Sequence, residues 1–591
     1  MLNRLFKIIS ENCPTDRLQS VALVQSMSFL SDKNTVNGSV NERLKRVPSH
    51  PFARLSTRIA IGFVLLLTLS SCSSSRRADI HGKYGGTLEL TTDTDIKSLD
   101  PAIAYDVPAW SFIRLMYTGL VDYDDATRLV PRGSENWSVS PDGRTYTFHL
   151  RRNVYFAGPL TRNRAVTSAD YAYEIRRILT KEVASPGMDF YSTIEGAQAF
   201  YDGKAASIPG LRTPDPYTLV IHLTAPRSEF LNIMALPFAY AVPHEVIGRY
   251  KGQPEFQEHA EGSGPFKLAY WHRNLDIRLD RNPHYFDSSL PYLDRIHEVI
   301  GVQPLNSMMM FETGEKDISG ITSADFVRIT SDPEYKPYIN RQVQMALFYV
   351  SLNCEMPPLD NLKVRQAINY AIDREKIIRL INNRGVLATG VLPPGMPGYD
   401  PGLKGYPHDP NKARQLLKEA GFANGFKTTL WVRSAGTGGD EMREAQAIQQ
   451  DLKDVGIDLD LKPVTFAVWL SSVAEEKTVP LSINDWYQDF PDPSDFLDVL
   501  LNSKQARPSD GNNSAFYKSA AMDALLAKAA AARDPAKRLR IYQQANVLAV
   551  HDAPWIFMYY PVSYTLRRPW VCNYSQHPVW LTRYEHMWLS K

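Results

Sequence analysis

The apolar segment at residues 59–69 constrains this chain most, because it decides which residues fold and where. Residues 59–72 read IAIGFVLLLTLSSC, and Arg54 and Arg58 stand just before them. The run is shorter than the ~20 residues needed to cross the hydrocarbon core of a bilayer. Its basic, apolar and small-residue parts are those of a secretory signal peptide. We therefore exclude residues 1–71 from the fold and predict that the rest folds outside the cytoplasm.

Cys72 stands at the predicted cleavage boundary, after Leu69, Ser70 and Ser71. This pattern resembles the lipobox of bacterial lipoproteins, which implies that Cys72 is lipidated and anchors the protein to a membrane of the periplasm or cell envelope. Residues 72–82 are then a flexible tether. The alternative is a plain secretory signal with an incidental cysteine. Because 58 residues precede Ile59, we expect an over-extended start codon or an unusual leader.

The remaining ~520 residues are too many for one core, so two or three domains are expected. Of 66 basic and 64 acidic residues, nine and four lie in 1–71, which leaves 57 and 60. This near-neutral balance argues against nucleic acid as a partner. After Cys72 only Cys354 and Cys572 remain, which excludes a disulfide-rich scaffold and leaves open whether these two pair.

The residue patterns predict a mixed α+β chain, β-rich at first and helix-rich later. Strands are predicted at 87–91, 144–151, 217–223, 274–281, 296–302 and 345–353, and helices at 167–179, 364–381, 410–421, 441–455, 522–532 and 535–550. The Trp-, Tyr- and Pro-rich segment after them is too short to fold alone. We expect it to rejoin the first domain, so that the chain crosses between domains more than once.

An ordered series of short segments resembles the bacterial extracellular solute-binding proteins of family 5, the oligopeptide- and dipeptide-binding components of ABC importers. The segments are residues 85–110, 117–121, 137–146, 215–219, 262–266, 281–285, 291–294, 364–368, 371–373, 393–395 and 413–417. No single motif is decisive, but their order over about 500 residues is specific. The resemblance implies a two-lobed clamshell with three structural domains and no cofactor.

Mapped onto this chain, the family layout gives lobe I residues 83–126, 215–345 and 556–591. A small β-rich domain, 127–214, is attached to lobe I, and lobe II takes residues 346–555. The resemblance also implies a monomer that captures short peptides between the lobes and delivers them to permease subunits. A non-peptide solute such as a nickel complex, haem or an oligosaccharide is the alternative within the family.

A peptide receptor has to hold the constant parts of its ligand, which are the termini and the backbone. A buried carboxylate suits the ammonium group, because charge-assisted hydrogen bonds are about twice as strong as neutral ones. The resemblance assigns this role to Asp489, in a W-x-x-D-x-x-D-P stretch that begins at Trp486. The alternative is a capping aspartate in a turn. Asp492 and Asp495 are expected to cap the following helix.

Other candidates surround the same predicted cleft. Trp486 and Tyr487 either line the pocket or belong to the core, and the same alternatives hold for Tyr105, Trp110 and Phe112. Arg433 and Arg443 are candidates for the ligand carboxylate, because their region loosely resembles that of dipeptide-specific relatives. The alternative for either arginine is a solvated surface position.

Enzyme motifs are absent from the sequence. His244-Glu245 lacks the second histidine of a zinc motif, and Gly262-Ser263-Gly264 lacks the spacing of a nucleophile elbow. We therefore predict neither an enzyme nor a metal protein. An extracytoplasmic hydrolase and a periplasmic binder of unfolded chains remain the alternatives from other classes.

Overall fold

The computed structural model describes residues 84–250, 256–434, 440–508 and 511–591. The predicted signal peptide, Cys72 and the tether lie outside these ranges. None of the helices within them combines the length and the apolar character that a membrane span requires.

The first part of the chain builds two four-stranded sheets. One has the order Thr87–Thr92, Arg295–Ile300, Asp276–Arg281 and Phe266–His272. The other, the small sheet, has the order Ser134–Val139, Thr145–Leu150, Thr218–His222 and Leu211–Asp215. The predicted boundary at residue 215 therefore falls inside the small sheet, because Thr218–His222 pairs with Thr145–Leu150.

The later part builds an eight-stranded sheet, the large sheet. Its order is Ile318–Gly320, Trp555–Arg567, Ala346–Leu352, Leu481–Tyr487, Phe426–Arg433 and Ile457–Val464, and Ile339–Val343 and Gly385–Leu387 also pair with Trp555–Arg567. The strand Trp555–Arg567 is thus common to segments that the predicted division assigns to different lobes. That division stays a prediction.

Helices cover the sheets and connect their strands. The α-helices within the described ranges are Val107–Met116, Ser168–Ile178, Met188–Tyr191, Ala197–Tyr201, Phe230–Ile233, His244–Arg249, Pro304–Thr313, Phe326–Ser331, Leu362–Ala371, Arg374–Leu380, Pro410–Glu419, Asp440–Lys453, Phe466–Val473, Ser494–Leu501, Ala520–Ala530 and Pro535–Asp552. Short pairs of strands join Val121–Tyr123 to Leu129–Pro131, Val571–Cys572 to Trp588–Leu589, and Gln576–His577 to Leu581–Thr582.

The centre of the large sheet is buried on both faces, as the strand Ala346–Leu352 shows. All seven of its residues are buried. Phe348 and Val350 pack into one core with the helices that include Leu362–Ala371, whereas Leu347 and Tyr349 pack into another core with the helices near the end of the chain. A continuous apolar run is what a strand covered on both sides requires.

Most predicted elements are confirmed, because their ends carry local signals. The Thr167–Asp170 capping box begins the helix Ser168–Ile178, and Asp409 caps Pro410–Glu419 through the backbone N–H of Lys412. The single helix predicted at 364–381 is wrong. The chain forms two helices there, because the side chain of Asp373 accepts from the N–H of Lys376 and begins a second one.

The two cysteines after Cys72, Cys354 and Cys572, are both free. Burial raises the pKa of the Cys354 thiol to about 11. No group of His, Cys, Asp and Glu side chains within the described ranges is arranged to hold a metal ion.

Candidate functional site

A cavity of about 270 Å³ lies where residues 488–493, here called the 488–493 loop, meet the helix Val107–Met116. This first cavity is lined by Tyr105, Asp106, Val107, Trp110, Ser111, Arg114, Trp486, Tyr487, Gln488, Asp489, Asn512, Val579 and Trp580. Five of the residues predicted from sequence are therefore brought together: Tyr105, Trp110, Trp486, Tyr487 and Asp489.

Asp489 lies just beyond the end of the strand Leu481–Tyr487, where the chain turns toward the next helix. Only 9% of the residue is exposed. Its backbone N–H donates to Oδ2 of Asp495 at 2.9 Å, and the next residue, Phe490, packs into the core of the first part of the chain. These contacts fix the loop, so that the Asp489 carboxyl group lines the cavity.

Tyr105 provides the hydrogen bond to the Asp489 side chain. Its hydroxyl group donates to Oδ2 at 2.7 Å. The Tyr105 ring packs against Trp110 and Phe238, each at 5.6 Å between ring centroids. Burial, together with the charge of Asp489, holds the pKa of Tyr105 well above its usual value, so this hydroxyl group stays a donor at neutral pH.

No described residue forms an ion pair with Asp489. Burial raises its pKa to about 7, an effect that the hydrogen bond from Tyr105 only partly offsets. The neighbouring Asp495 is fully buried, and burial and the charge of Asp489 raise its pKa as well. Two carboxyl groups thus lie together without a cation, which is an arrangement that favours binding of a positively charged group.

Asp492, three residues after Asp489, has the opposite environment. Both of its side-chain oxygens accept from Arg538, at 2.6 and 2.8 Å. Asp492 also accepts from the N–H of Ser494 at the start of the helix Ser494–Leu501, as predicted. Asp495 does not cap that helix, because its carboxyl group binds the backbone of Asp489 instead.

The aromatic residues of the first cavity differ in exposure. Trp110 is 9% exposed, and its indole N–H donates to the carbonyl oxygen of Ala104 at 2.9 Å. Trp486 packs partly against the helical core behind the large sheet. Tyr487 is 37% exposed and is the most accessible of the three. Tyr105, Trp110, Trp486 and Tyr487 therefore all line the first cavity, and the two tyrosines are the more exposed of them.

Arg433 does not line the first cavity. It forms ion pairs with Glu441 at 2.5 Å and Asp485 at 2.6 Å, and its guanidinium group lies 5.1 Å from the ring centroid of Trp469. These residues are called the Arg433 cluster below. Because two carboxylates already neutralise this arginine, the prediction that Arg433 receives a ligand carboxylate has no support from the geometry.

Arg443 and Phe112 also lie outside the first cavity. Arg443 is on the solvent side of the helix Asp440–Lys453, where 49% of its side chain is exposed and it pairs with Asp440. Phe112 is 8% exposed and lines a separate cavity of about 180 Å³. Two positions along a helix correspond to ~200°, so Phe112 faces away from Trp110.

Sequence reasoning missed Arg114 and Trp580. The Arg114 guanidinium group lies 4.5 Å from the Trp580 ring centroid and pairs with Asp122 at 3.4 Å and Glu585 at 3.6 Å. A signal for Arg114 was present, because it follows Trp110 by four positions and so shares its helix face. No local signal marks Trp580, which comes from the segment after the large sheet.

Comparisons with known proteins identify the family of this chain. Residues 128–508 match the profile of "Bacterial extracellular solute-binding proteins, family 5 Middle". The chain is 30% identical over 481 residues to "Heme-binding protein A" of Haemophilus influenzae, covering 78% of this chain and 85% of that one. It is 28% identical over 510 residues to "Glutathione-binding protein GsiB" of Escherichia coli O1:K1, covering 84% and 91%.

A solved structure shows the same fold. The periplasmic binding protein DppA of Helicobacter pylori, in complex with the peptide STSA, superposes with a TM-score of 0.74 at 26% identity, over 86% of this chain and 99% of that one. The predicted fold class and family resemblance are confirmed, and so is the prediction that the protein is not an enzyme, since the family consists of solute-binding proteins. The chain belongs to the bacterial extracellular solute-binding proteins of family 5.

Proposed function

We propose that this protein is the solute receptor of an ABC importer and that it captures short peptides by their free amino terminus. Asp489 is the partner of the ligand ammonium group, and the ligand lies between two lobes that close on it. Cys72 anchors the protein to a membrane by its lipid, and a permease receives the ligand. No covalent chemistry takes part.

One observation carries this proposal: a carboxyl group at the wall of the first cavity is buried and has no cationic partner among the described residues. A buried carboxyl group with a pKa of about 7 has lost much of the solvation of its charged form. An ammonium group restores the ionised state and donates charge-assisted hydrogen bonds. Tyr105 already occupies one lone pair of Oδ2, so it orients the carboxylate for the ligand.

The relatives support peptides or peptide-like solutes. The structure of DppA from Helicobacter pylori contains a peptide, and GsiB is named for glutathione, itself a small peptide with a free ammonium group. The name of the Haemophilus influenzae relative favours haem as a second candidate. The two unpaired carboxyl groups at Asp489 and Asp495 argue against haem at this position, because its propionates are anionic.

The experiment is calorimetric titration of trialanine, N-acetyl-trialanine, glutathione and haem into the wild-type protein and the Asp489→Asn variant. We expect trialanine to bind and its acetylated form not to bind. Asp489→Asn should lower the affinity about 10- to 100-fold, as expected for a hydrogen bond between charged groups. Asn has nearly the same shape as Asp, so the fold should be kept.

Asp106→Asn is the matched control. Asp106 lines the same cavity, and its side chain caps the helix Val107–Met116, a role that Asn fills equally well. The control removes one carboxylate from the cavity without touching Asp489 and should change the affinity only a few-fold. Equal binding of acetylated and free trialanine, or tight binding by Asp489→Asn, would refute the role assigned to Asp489.

A further inference from the structure

A second cavity, of about 510 Å³, adjoins the first at Tyr487, whose side chain lines both. Phe348 and Tyr559 form part of its wall, and their rings stack at 5.1 Å between centroids. Tyr487 precedes Asp489 by two positions, and an extended peptide advances ~3.3–3.6 Å per residue. A peptide whose amino terminus is at Asp489 and which runs past Tyr487 therefore enters the second cavity, and we expect its second or third residue to lie there.

Glu444 is a buried carboxyl group at the wall of this second cavity. The residue is 3% exposed. Its Oε1 accepts from the hydroxyl group of Tyr559 at 2.9 Å, and no described residue donates a hydrogen bond to its other oxygen or forms an ion pair with it. Burial raises the pKa of Glu444 to about 7.

The other charged groups near Glu444 are already matched with one another. Asp440, on the same helix, pairs with both Arg384 and Arg443. In the Arg433 cluster one arginine lies between two carboxylates. Four acidic side chains therefore face three arginines, and Glu444 is the acid without a direct cationic partner. Its carboxyl group is at the wall of the cavity, which Arg384 and Asp440, already paired with each other, also line.

We infer that the second cavity is a subsite for a cationic side chain of the ligand, with Glu444 as the partner of its ammonium or guanidinium group. The inference rests on the proposed function, because it takes the peptide amino terminus to be at Asp489. A cation there replaces lost solvation and converts a neutral hydrogen-bonding position into a charge-assisted one. The aromatic rings of Phe348 and Tyr559 accommodate the apolar stem of such a side chain.

The test measures the affinities of tetra-alanine peptides in which residue two or three is replaced by lysine, norleucine or glutamate. Norleucine matches the lysine stem without its charge. Each peptide is titrated into the wild-type protein, Glu444→Gln and the control Glu375→Gln, which removes an acid whose side chain is 74% exposed. Glutamine still accepts the hydrogen bond from Tyr559. The readout is the ratio of two affinities on one protein sample, so a partly unfolded fraction cancels.

We expect the wild-type protein to prefer lysine over norleucine about tenfold or more at one of the two positions. Glu444→Gln should bring this ratio close to one, and Glu375→Gln should keep it. If free-amine peptides bind, three results would overturn the subsite. They are no preference for lysine, a preference for glutamate, and an unchanged lysine-to-norleucine ratio in Glu444→Gln. If no free-amine peptide binds, the proposed function itself fails, and the subsite falls with it.

Discussion

The two ends of the 488–493 loop differ in how they hold a buried carboxylate. Asp492 is 6% exposed and Asp489 is 9% exposed, so both have lost most of their water. Asp492 has a bidentate arginine partner, whereas Asp489 has one hydrogen bond from a tyrosine. The charge of Asp492 is therefore neutralised within the protein itself. Asp489 has no such cationic partner among the described residues, and it is the aspartate that lines a cavity.

This difference, and not burial, is the basis on which we assign a structural role to Asp492 and propose a ligand-binding role for Asp489. Arg538 also lies 3.7 Å from Glu229, which precedes the helix Phe230–Ile233. The Asp492 end therefore ties the loop to the first part of the chain, whereas the Asp489 end is the one that we propose for the ligand. The predictions that follow test whether stability and binding divide in this way.

The largest expected effect is on stability, from Arg538→Met. This change leaves Asp492 buried without its cation, whereas Glu229 keeps Arg227 at 2.7 Å. Removing one partner of a buried pair costs about 3–5 kcal/mol. Urea unfolding at pH 7 measures it, with Asp489→Asn as the comparison, which should cost less than about 1 kcal/mol because it removes no ion pair. Similar losses in both variants would erase the distinction between the two ends.

The next effect is on binding and depends on pH. The pKa of Asp489 is about 7 without ligand, and pairing with an ammonium group lowers it, so binding releases a proton below pH 7. The affinity for trialanine should fall about tenfold per pH unit as the pH drops below 7. Above about pH 8 it should fall again, since a free α-amino group has a pKa of about 7.7–8.0.

Calorimetry at about one-unit steps from pH 5 to pH 9 gives this profile, and Asp489→Asn is its control. Asparagine does not titrate, so the fall in affinity below pH 7, here called the acidic limb, should flatten in the variant. An acidic limb of the same slope in both proteins would assign the titration to another group. Asp495, whose carboxyl group bonds the backbone of Asp489, would then be the first to test.

A smaller effect is expected from Tyr105→Phe. The variant loses the hydrogen bond that favours the ionised form of Asp489, which corresponds to about 1 kcal/mol, or about fivefold in peptide affinity at pH 7. The midpoint of the acidic limb should also move to higher pH. Tyr155→Phe, at an exposed tyrosine, is the control. A loss of affinity without a shift in midpoint would mean that Tyr105 only shapes the wall.

The smallest effect is expected from Arg443→Gln. Asp440 is buried but keeps Arg384 as a partner, so loss of the half-exposed Arg443 should cost about 1 kcal/mol, and the Arg443 side chain does not line the first cavity. Peptide affinity should change less than about twofold. A tenfold loss would restore Arg443 as the cation for the ligand carboxylate.

The sequence predicted the parts of the site that depend on local signals. Asp489 belongs to a compact motif, and Tyr105 and Trp110 lie around the start of one capped helix. Contacts between residues distant along the chain could not be predicted from the sequence. The neutralisation of Arg433 depends on Asp485, which follows it by 52 positions and is placed by the register of the large sheet. The same holds for the contact between Arg114 and Trp580.

The helix break at Asp373 and the position of Phe112 are misses of another kind. Helical periodicity, applied residue by residue, places Phe112 and Trp110 on different faces. Aspartate is a favourable N-cap residue, and the short side chain of Asp373 competes with continuation of the preceding helix. Both outcomes were available from local rules, so they could have been predicted.

The strand Trp555–Arg567 bears on how the protein is made. It is synthesised after every other strand of the large sheet and yet pairs with four of them. Until it emerges, Ala346–Leu352 lacks one neighbour, and the segments near residues 318 and 339 lack theirs. Long-range pairing of this kind forms slowly. The growing chain therefore cannot complete the large sheet before residues 555–567 have been made, although the strands on one side of Ala346–Leu352 can pair earlier.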